Sequence, residues 1–347
     1  MLTKEAVARP TRLLVAVPTL NEARHIERIV RDLLAGTEDL PEARIAVVDG
    51  GSTDGTTDIV SRLARENPRV SLLHNPARIQ SAAINLAARV LGRDADVLIR
   101  CDAHSSYPPN FCRRLLTTLD RIDADAVVVP MDSYGDSGLQ RAIAWVSNSP
   151  IGTGGAAHRA GRRSGFVDHG HHAAFRMDGF RRAGGYDETF SHNEDAELDC
   201  RQRALGARVY LDAEIRVGYQ PRANLRGLWR QYFRYGVGRS RTARRHPGSL
   251  RLRQLAVPTH LALSLLALGV SPLFPAALAW PAFYVLVLAG TSIAIAVRHR
   301  DVAGLWAGPA AAVMHTAWAC GFFSGLLTRR EPRWRADTTT PLWAEAA

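Results

Sequence analysis

The sequence predicts an α/β fold with a mostly parallel sheet, followed by a helical membrane region. Three observations lead to this prediction. Short apolar runs alternate with helical patterns through the first two thirds of the 347 residues, polar residues follow three of those runs, and the last third contains two long stretches without charge. Strands that alternate with helices are typical of a parallel sheet covered on both faces.

The predicted strands are short buried runs, and the helices between them repeat apolar residues every three or four positions. Strands are expected at 12–17, 44–49, 70–74, 96–102 and 125–130, and helical patterns at 26–34, from 58 onward, at 81–91 and at 190–206. In such sheets ligands bind beyond the carboxyl ends of the strands. Asn21 with Glu22, Asp49 and Asp102 stand at three of these ends, so we expect them to share one site.

A basic segment separates the catalytic part from the apolar part. Eleven arginines and no acidic residue lie between Arg216 and Arg253, so this segment alone accounts for the net charge of +11. Such a charge suggests a phosphate-rich partner, either nucleic acid, an anionic membrane or a phosphorylated lipid; a merely solvated basic helix is the alternative. The predicted divisions are 1–215 (catalytic), 216–254 (basic, amphipathic), 255–330 (transmembrane or re-entrant helices) and 331–347 (tail).

The apolar part is long enough to enter a bilayer. Residues 255–297 and 302–327 contain no Asp, Glu, Lys or Arg, and a span needs about 20 such residues. The first run fits two spans with a break at 271–275. The positive-inside rule places the basic segment, 298–300 and 328–335 in the cytoplasm, which forbids a third full span, so the last run is expected to be re-entrant or interfacial.

The cysteines and the N-terminus agree with a cytoplasmic catalytic domain. The four cysteines form no CxxC pair, which indicates a reducing compartment. No apolar signal core precedes the first strand. The first strand is not followed by GxGxxG and the chain has no P-loop motif, so an ordinary dinucleotide fold and a P-loop nucleotidase are excluded.

Four motifs in order resemble the GT-A fold of family 2 inverting glycosyltransferases. They are "VAVPTLNE" (15–22), "VVDGGSTDGT" (47–56), "RCDAH" (100–104) and "HNEDAELDCR" (192–201). The resemblance covers roughly residues 10–245, and the membrane tail is similar to that of bacterial succinoglycan-type exopolysaccharide glucosyltransferases. It implies a bacterial inner-membrane enzyme with a cytoplasmic catalytic domain and, as further partners, other polysaccharide-assembly enzymes.

The resemblance implies a nucleotide-sugar site and a metal. The nucleotide-sugar residues are expected to be Pro18, Asn21, Glu22, Asp49, Arg78, Asn85 and Asp102. Asp49 is expected to accept a hydrogen bond from the uracil N–H, although a turn-forming Asp before Gly-Gly is the alternative. Asp102 and His104 occupy the DxD position, where they would hold Mn²⁺ or Mg²⁺ together with the substrate diphosphate. The alternative for His104 is a cap of the next helix.

The resemblance also implies the catalytic and acceptor residues. Asp195 is expected to be the general base, and Glu194 to position it or touch the sugar. Glu197 and Asp199 need no such role, because acids are stabilised at a helix N-terminus anyway. "RQYFRYG" (230–236) resembles a QxxRW motif with Tyr for Trp. The expected acceptor or diphosphate contacts are Gln231, Arg234, Tyr235 and His171; a helix lying on the membrane is the alternative.

The expected reaction is transfer of a hexose, with glucose as the first expectation, from a UDP-sugar to a polyprenyl-diphosphate-linked saccharide. The main alternative is a polyprenyl-phosphate glycosyltransferase of the dolichyl-phosphate-mannose-synthase type, whose anionic acceptor needs no base. A processive synthase needs more spans than this tail provides. A nucleic-acid-binding membrane protein disagrees with the clustered acids, so no nucleic acid partner is expected.

Overall fold

The computed structural model describes residues 11–154, 162–328 and 330–336. The strands are β1 Leu13–Thr19, β2 Arg44–Asp49, β3 Val70–His74, β4 Val97–Arg100, β5 Ala126–Val129, β6 Met131–Ser133, β7 Gly165–Phe166, β8 His171–Arg176, β9 Val209–Leu211 and β10 Val217–Tyr219. The helices are α1 Ile26–Ala35, α2 Thr56–Glu66, α3 Gln80–Leu91, α4 Phe111–Ile122, α5 Gly138–Ser147, α6 Pro150–Thr153, α7 Met177–Arg182, α8 Glu194–Ala204, α9 Leu225–Arg245, α10 Leu252–Val270, α11 Ala279–His299 and α12 Ala307–Thr328.

Eight strands form one sheet in the order β3-β2-β1-β4-β8-β5-β9-β7. Six of them run in one direction, whereas β8 and β7 run against their neighbours. The predicted mostly parallel sheet is therefore confirmed. Because β8 is antiparallel, its first residue, His171, lies opposite Val129 at the end of β5. The start of β8 thus reaches the same edge as the carboxyl ends of the parallel strands.

The core lies on both faces of this sheet. Alternate residues of β1 point to opposite faces, so Leu13, Val15 and Val17 join one apolar cluster while Leu14 and Ala16 join the other. The first cluster includes side chains of α1, α2 and α4, and the second includes side chains of α3, α7 and α8. Burial on both faces explains why the strands appear in the sequence as continuous apolar runs.

The catalytic unit extends past the boundary predicted at residue 215. Strand β10, Val217–Tyr219, pairs in parallel with β6, and Gly218 bridges Ser106. The basic helix α9 begins only at Leu225. Arg216 therefore belongs to the catalytic unit, where its guanidinium pairs with Asp132. The predicted tail, 331–347, lies within the described residues only as far as 336.

Three C-terminal segments are long and apolar enough to span a membrane, but they differ in burial. The most apolar window is 11% buried in Leu252–Val270, 17% in Pro275–His299 and 44% in Val302–Thr328. The greater burial of the last segment results from the packing of α12 on α9. Residues just outside both ends of that segment also contact the catalytic unit or α9: Asp301 pairs with Arg141 of α5, and Glu331 pairs with Arg241 of α9.

Glycines allow α9 and α12 to pack backbone against backbone. A Cβ atom at Gly321 would overlap the backbone of Phe233, and one at Gly236 would overlap the carbonyl of Trp318. Gly290 of α11 has nothing within 4 Å of a Cβ position. Close helix contact through small residues is common in helical membrane segments.

We expect Gly321→Ala to lower the melting temperature in detergent, because the added methyl group forces α12 away from α9. Overpacking of this kind costs about 1–3 kcal/mol. The matched control is Gly290→Ala, which should be neutral or stabilising because alanine favours a helix by about 1 kcal/mol over glycine. Equal melting temperatures for the two variants would contradict the close packing of α9 and α12.

Candidate active site

A cavity of about 630 Å³ opens at the carboxyl edge of the sheet. Its floor contains Asp102 after β4, His171 at the start of β8 and Asp195 in the first turn of α8. Its outer walls are formed by α9 and by parts of α10 and α12. Residues that are distant in sequence meet here because the fold brings the ends of β4, β8 and α8 together.

The buried guanidinium of Arg100 holds three carboxylates on the cavity floor. Its Nη1 donates to Asp195 Oδ1 at 2.7 Å and lies 3.5 Å from Glu194 Oε1, and its Nε lies 3.6 Å from Asp102 Oδ1. The hydroxyl of Tyr186 donates to the same Asp195 oxygen at 2.8 Å. Sequence analysis missed Arg100, although a lone charged residue ending the apolar run of β4 was a signal for it.

The remaining oxygens of two carboxylates face His171. The ring nitrogens of His171 lie 3.8 Å from Asp195 Oδ2 and 3.9 Å from Asp102 Oδ2, which is too far for direct hydrogen bonds. Gln80 donates to the other oxygen of Asp102 at 2.5 Å. One oxygen of each carboxylate is therefore held by protein donors, and the other lies on the side of His171.

The carboxylates on the floor differ in acidity. Burial disfavours the ionised form of Asp102, but the charges of Arg100, His171 and His104 together outweigh it and lower the pKa of this carboxyl. Burial, with the adjacent charge of Asp195, raises the pKa of Glu194 to about 7. Glu194 is thus protonated in part of the population at neutral pH, while Asp102 stays ionised as a metal ligand must.

We expect Glu194→Gln to stabilise the protein at pH 8 relative to the wild type, and more so than at pH 5. The pKa of Glu194 is about 7 in the folded protein, above the value of 4.5 expected in the unfolded chain. The free energy of unfolding therefore falls as pH rises from 4.5 to about 7. The amide of glutamine does not ionise, so the substitution removes this loss. The gain in the free energy of unfolding at pH 8 is on the order of 3 kcal/mol, measured as thermal unfolding in detergent at both pH values.

Glu197→Gln is the matched control, and its effect on stability should have the opposite sign. Although burial opposes it, hydrogen bonds from His246 and the charge of Arg201 lower the pKa of Glu197. Its ionised form therefore adds stability above the unfolded pKa, and its loss should destabilise the protein most at neutral pH. The same temperature shift for Glu194→Gln at pH 5 and pH 8 would contradict the raised pKa.

The loops after β1 and β2, which contain predicted nucleotide-sugar residues, are joined to each other by hydrogen bonds. The backbone N–H of Asn21 donates to Ser52 Oγ at 2.8 Å, and its side-chain oxygen accepts from the N–H of Thr53 at 2.9 Å. The N–H of Glu22 donates to Thr56 Oγ1 at 2.9 Å. Pro18 precedes this loop within β1, paired with Val48 of β2. The loops after β1 and β2 therefore form one surface at the carboxyl edge.

Asp49 organises the second of these loops. Its Oδ2 accepts from the backbone N–H groups of Gly51 and Ser52 at 2.8 and 2.9 Å, and its Oδ1 accepts from Ser52 Oγ at 2.5 Å. This is the turn-forming role weighed above, and the residue is only 2% exposed. Contact with a base stays a prediction. Arg78 is exposed beside this turn, with its Nη2 3.5 Å from the carbonyl of Gly51.

Two predicted contacts need correction. Asn85 is buried, and its amide group is engaged by the backbone of Tyr186 and by Glu188, so it cannot also face the nucleotide. Arg234 is exposed on α9 and does not line the cavity, whereas Gln231 and Tyr235 do. The reason is helix geometry: at about 100° per residue, Tyr235 lies about 40° from Gln231 toward the cavity, whereas Arg234 lies about 60° from Gln231 in the opposite direction.

The residues expected to bind a metal fit a divalent cation. Nδ1 of His104 lies 2.9 Å from Glu22 Oε1, an arrangement that directs Nε2 away from Glu22 as a potential ligand atom. His104 does not cap α4, whose N-cap is Asn110. Among the described residues there is no group of three His, Cys, Asp or Glu side chains that could hold a metal. A metal bound by Asp102 and His104 would therefore need further ligands from a substrate.

Comparison with known proteins agrees with these motifs. The model of glycosyl transferase family 2 matches residues 14–184. The chain is 44% identical over 329 residues to succinoglycan biosynthesis protein ExoA of Rhizobium meliloti, covering 92% of this chain and 96% of that protein. It is 35% identical over 144 residues to polyprenol monophosphomannose synthase of Mycolicibacterium smegmatis, covering 40% of this chain and 52% of that protein.

A solved structure shares the fold. The mannosyltransferase PcManGT from Pyrobaculum calidifontis, in complex with GDP-Man and Mn²⁺, aligns with a TM-score of 0.62 at 20% identity, covering 93% of this chain and 89% of that one. The resemblance inferred from the four motifs is thereby confirmed. The chain belongs to glycosyl transferase family 2 and is a glycosyltransferase with the GT-A fold.

Proposed function

We propose that the protein transfers a hexose, in the first instance glucose, from a UDP-sugar to a polyprenyl-diphosphate-linked saccharide in exopolysaccharide biosynthesis. The observation that carries the proposal is the position of Asp195, which lies in a cavity that continues from the carboxyl edge of the sheet to the apolar helices α10 and α12. A sugar acceptor attached to a lipid could enter from those helices. The relative named for succinoglycan biosynthesis supports the pathway.

The donor would bind along the loops after β1 and β2. Pro18, Asn21, Glu22 and Arg78 would contact the nucleoside side, and Asp49 would reach the base if Ser52 releases one of its oxygens. Asp102 would lie at the diphosphate. Asn85 has no part in this proposal because its amide is already engaged.

Inversion needs one base. The acceptor hydroxyl attacks the anomeric carbon, the bond from that carbon to the diphosphate oxygen breaks, and its electron pair leaves with UDP. The proton of the hydroxyl goes to Asp195 Oδ2. Arg100 fixes Asp195 Oδ1 and its positive charge favours the ionised carboxylate that a base requires. Glu194 would position this pair or contact the sugar.

A divalent cation, Mn²⁺ or Mg²⁺, would be held by Asp102 and His104 and would neutralise negative charge on the departing diphosphate. Glu22 would orient His104 for this role through the contact at 2.9 Å. A structure of the same fold that contains Mn²⁺ supports the choice.

The acceptor would enter between α9 and the apolar helices. Gln231, Tyr235 and His171 line the cavity, with Gln231 Nε2 donating to the hydroxyls of Tyr219 and Tyr235. Arg234 would instead contact lipid headgroups together with the exposed arginines 226 and 230, whereas Arg222 lines the cavity. Other polysaccharide-assembly enzymes remain expected partners.

The proposed location is the bacterial inner membrane with the catalytic domain in the cytoplasm. The eleven arginines of 216–253 support this side. Residues just outside both ends of the Val302–Thr328 segment, Asp301 and Glu331, contact the catalytic unit or α9, which supports an interfacial rather than a spanning placement. Helices α10 and α11 would then make the two crossings.

The acceptor distinguishes the proposal from its alternative, a polyprenyl-phosphate glycosyltransferase. The similarity to polyprenol monophosphomannose synthase favours that alternative. Purified full-length protein should transfer hexose to an undecaprenyl-diphosphate-linked sugar and not to undecaprenyl monophosphate. A product formed on the monophosphate alone would overturn the proposal in favour of the alternative.

A further inference from the structure

One arginine in the cavity wall differs from all the other buried arginines. Among the described residues, the buried arginines are Arg100, Arg201, Arg239 and Arg241. Arg100 pairs with Asp195, Arg201 with Glu197 and Arg241 with Glu331. Within the described ranges, Arg239 has no carboxylate within ion-pair distance, although it is only 5% exposed.

The local contacts of Arg239 do not neutralise its charge. Its Nη2 donates to the carbonyl and to the hydroxyl of Ser249, and its Nε is buried without a hydrogen-bond partner. Cys200 is the nearby ionisable group, but burial raises the pKa of its thiol to about 11, so it is neutral. A buried charge without a counter-ion costs several kcal/mol. This cost would fall if an anion bound there.

A second arginine lies close enough to act on Arg239, although it is exposed rather than buried. Arg253, in the first turn of α10, also lines the cavity and donates to the carbonyl of Gly154 at 3.2 Å. No acid of the described chain forms an ion pair with it either. The charge of Arg253 acts on Arg239, whose pKa is lowered by burial and by this like charge. Arg239 and Arg253 thus line one cavity as two neighbouring cations without a carboxylate partner among the described residues, and such a pair can bind a phosphate or diphosphate.

The surroundings of the two arginines indicate what carries the phosphate. Arg239 continues the cavity-facing side of α9, four and eight positions after Tyr235 and Gln231. Ala256 and Val257 of α10 and Trp318 of α12 line the same cavity and give it an apolar wall. An anionic group at the arginines could therefore have a sugar toward Asp195 and an apolar chain along α10.

We infer that Arg239 and Arg253 bind the phosphate groups of the lipid-linked acceptor, at a subsite separate from the donor diphosphate at Asp102. This inference rests on the function proposed above and gives it a location for the acceptor head group. Arg234, which the sequence motif suggested, is exposed and does not line the cavity, whereas Arg239 lines it together with Gln231.

The test is binding of undecaprenyl diphosphate to purified full-length protein in neutral detergent, followed by the quenching of tryptophan fluorescence and by the melting temperature. The wild type should bind and be stabilised. Arg239→Gln and Arg253→Gln should each weaken binding at least tenfold, whereas Arg121→Gln, which removes the same charge from an exposed site on α4, should not. Unchanged affinity in the first two variants would overturn the inference.

Two further probes distinguish the source of the phosphate. Inorganic pyrophosphate should bind more weakly than the lipid but with the same dependence on Arg239, because it presents the head group alone. Phosphatidylglycerol should not compete. Competition by phosphatidylglycerol that is lost in Arg239→Gln would identify a phospholipid site and overturn the assignment to the acceptor.

Kinetics separate this inference from the proposed function. In a transfer assay, Arg253→Gln should raise the KM for the lipid acceptor at least tenfold and leave the KM for the donor unchanged. If Arg253→Gln transfers sugar with an unchanged KM for the lipid acceptor, the inference is overturned but the proposed function is not. Arginine-dependent binding of undecaprenyl diphosphate by an enzyme that uses no UDP-sugar would support the subsite and reject the function. Because Arg253 is exposed, this variant remains informative if Arg239→Gln does not fold.

Discussion

Asp195→Asn is expected to lower kcat for transfer to a sugar hydroxyl by about 10³-fold, within the usual 10²–10⁴-fold range for loss of a general base. The amide keeps the shape of the side chain and can still contact Arg100 and Tyr186, so the fold and the donor KM should change little. Transfer rates measured with a lipid-linked acceptor, together with binding of UDP, check both parts.

Two results would contradict this account of Asp195. Full activity of Asp195→Asn with a lipid-linked saccharide would show that the proton goes elsewhere, and Glu194, whose pKa is raised to about 7, would then be the next candidate. Full activity of the variant with undecaprenyl monophosphate would instead favour the polyprenyl-phosphate alternative, because an anionic acceptor needs no base.

Arg100→Met is expected to destabilise the protein by about 3–5 kcal/mol, because it leaves carboxylates buried without their common counter-charge. Three acidic side chains, Asp102, Glu194 and Asp195, lie within 3.6 Å of the guanidinium. The protein that remains folded should also lose most of its activity, because Asp195 is no longer held. Thermal unfolding and kcat of the folded fraction measure the two effects.

Arg201→Met is the matched control for this prediction. Arg201 is a buried arginine that pairs with Glu197 on α8 and does not line the cavity. It should lower stability to a similar degree but leave kcat of the folded fraction close to that of the wild type. If both variants lose activity in proportion to stability alone, the positioning role of Arg100 is contradicted.

The sheet was predictable because it is built from local patterns. Strands buried on both faces appear as apolar runs, and β1, β2, β3, β4 and β5 match the predicted segments within one or two residues. The strand β8 was not predicted. Its sequence, His171–Arg176, contains two histidines and an arginine, and its antiparallel pairing depends on contacts with β4 and β5 that no local pattern records.

The candidate site was predictable where a residue follows a strand and not where it acts through a neighbour. Asp102 and Asp195 line the cavity, and their roles stay predictions. Asn85 and Arg234 do not line it, since the first is engaged by Tyr186 and the second is rotated away on α9. Arg100 and Arg239 were missed because their importance lies in burial and in the presence or absence of acid partners, which only the folded chain reveals.

The central claim is that this cavity performs metal-dependent transfer from a UDP-sugar to a lipid-linked sugar. The most direct test is transfer by purified protein in detergent from a panel of UDP- and GDP-sugars to lipid acceptors, with Mn²⁺, with Mg²⁺ and with a chelator. We expect transfer from a UDP-hexose with inversion at the anomeric carbon and its loss in the chelator. No transfer from any UDP-sugar would contradict the donor assignment, and full activity in the chelator would contradict the metal site at Asp102 and His104.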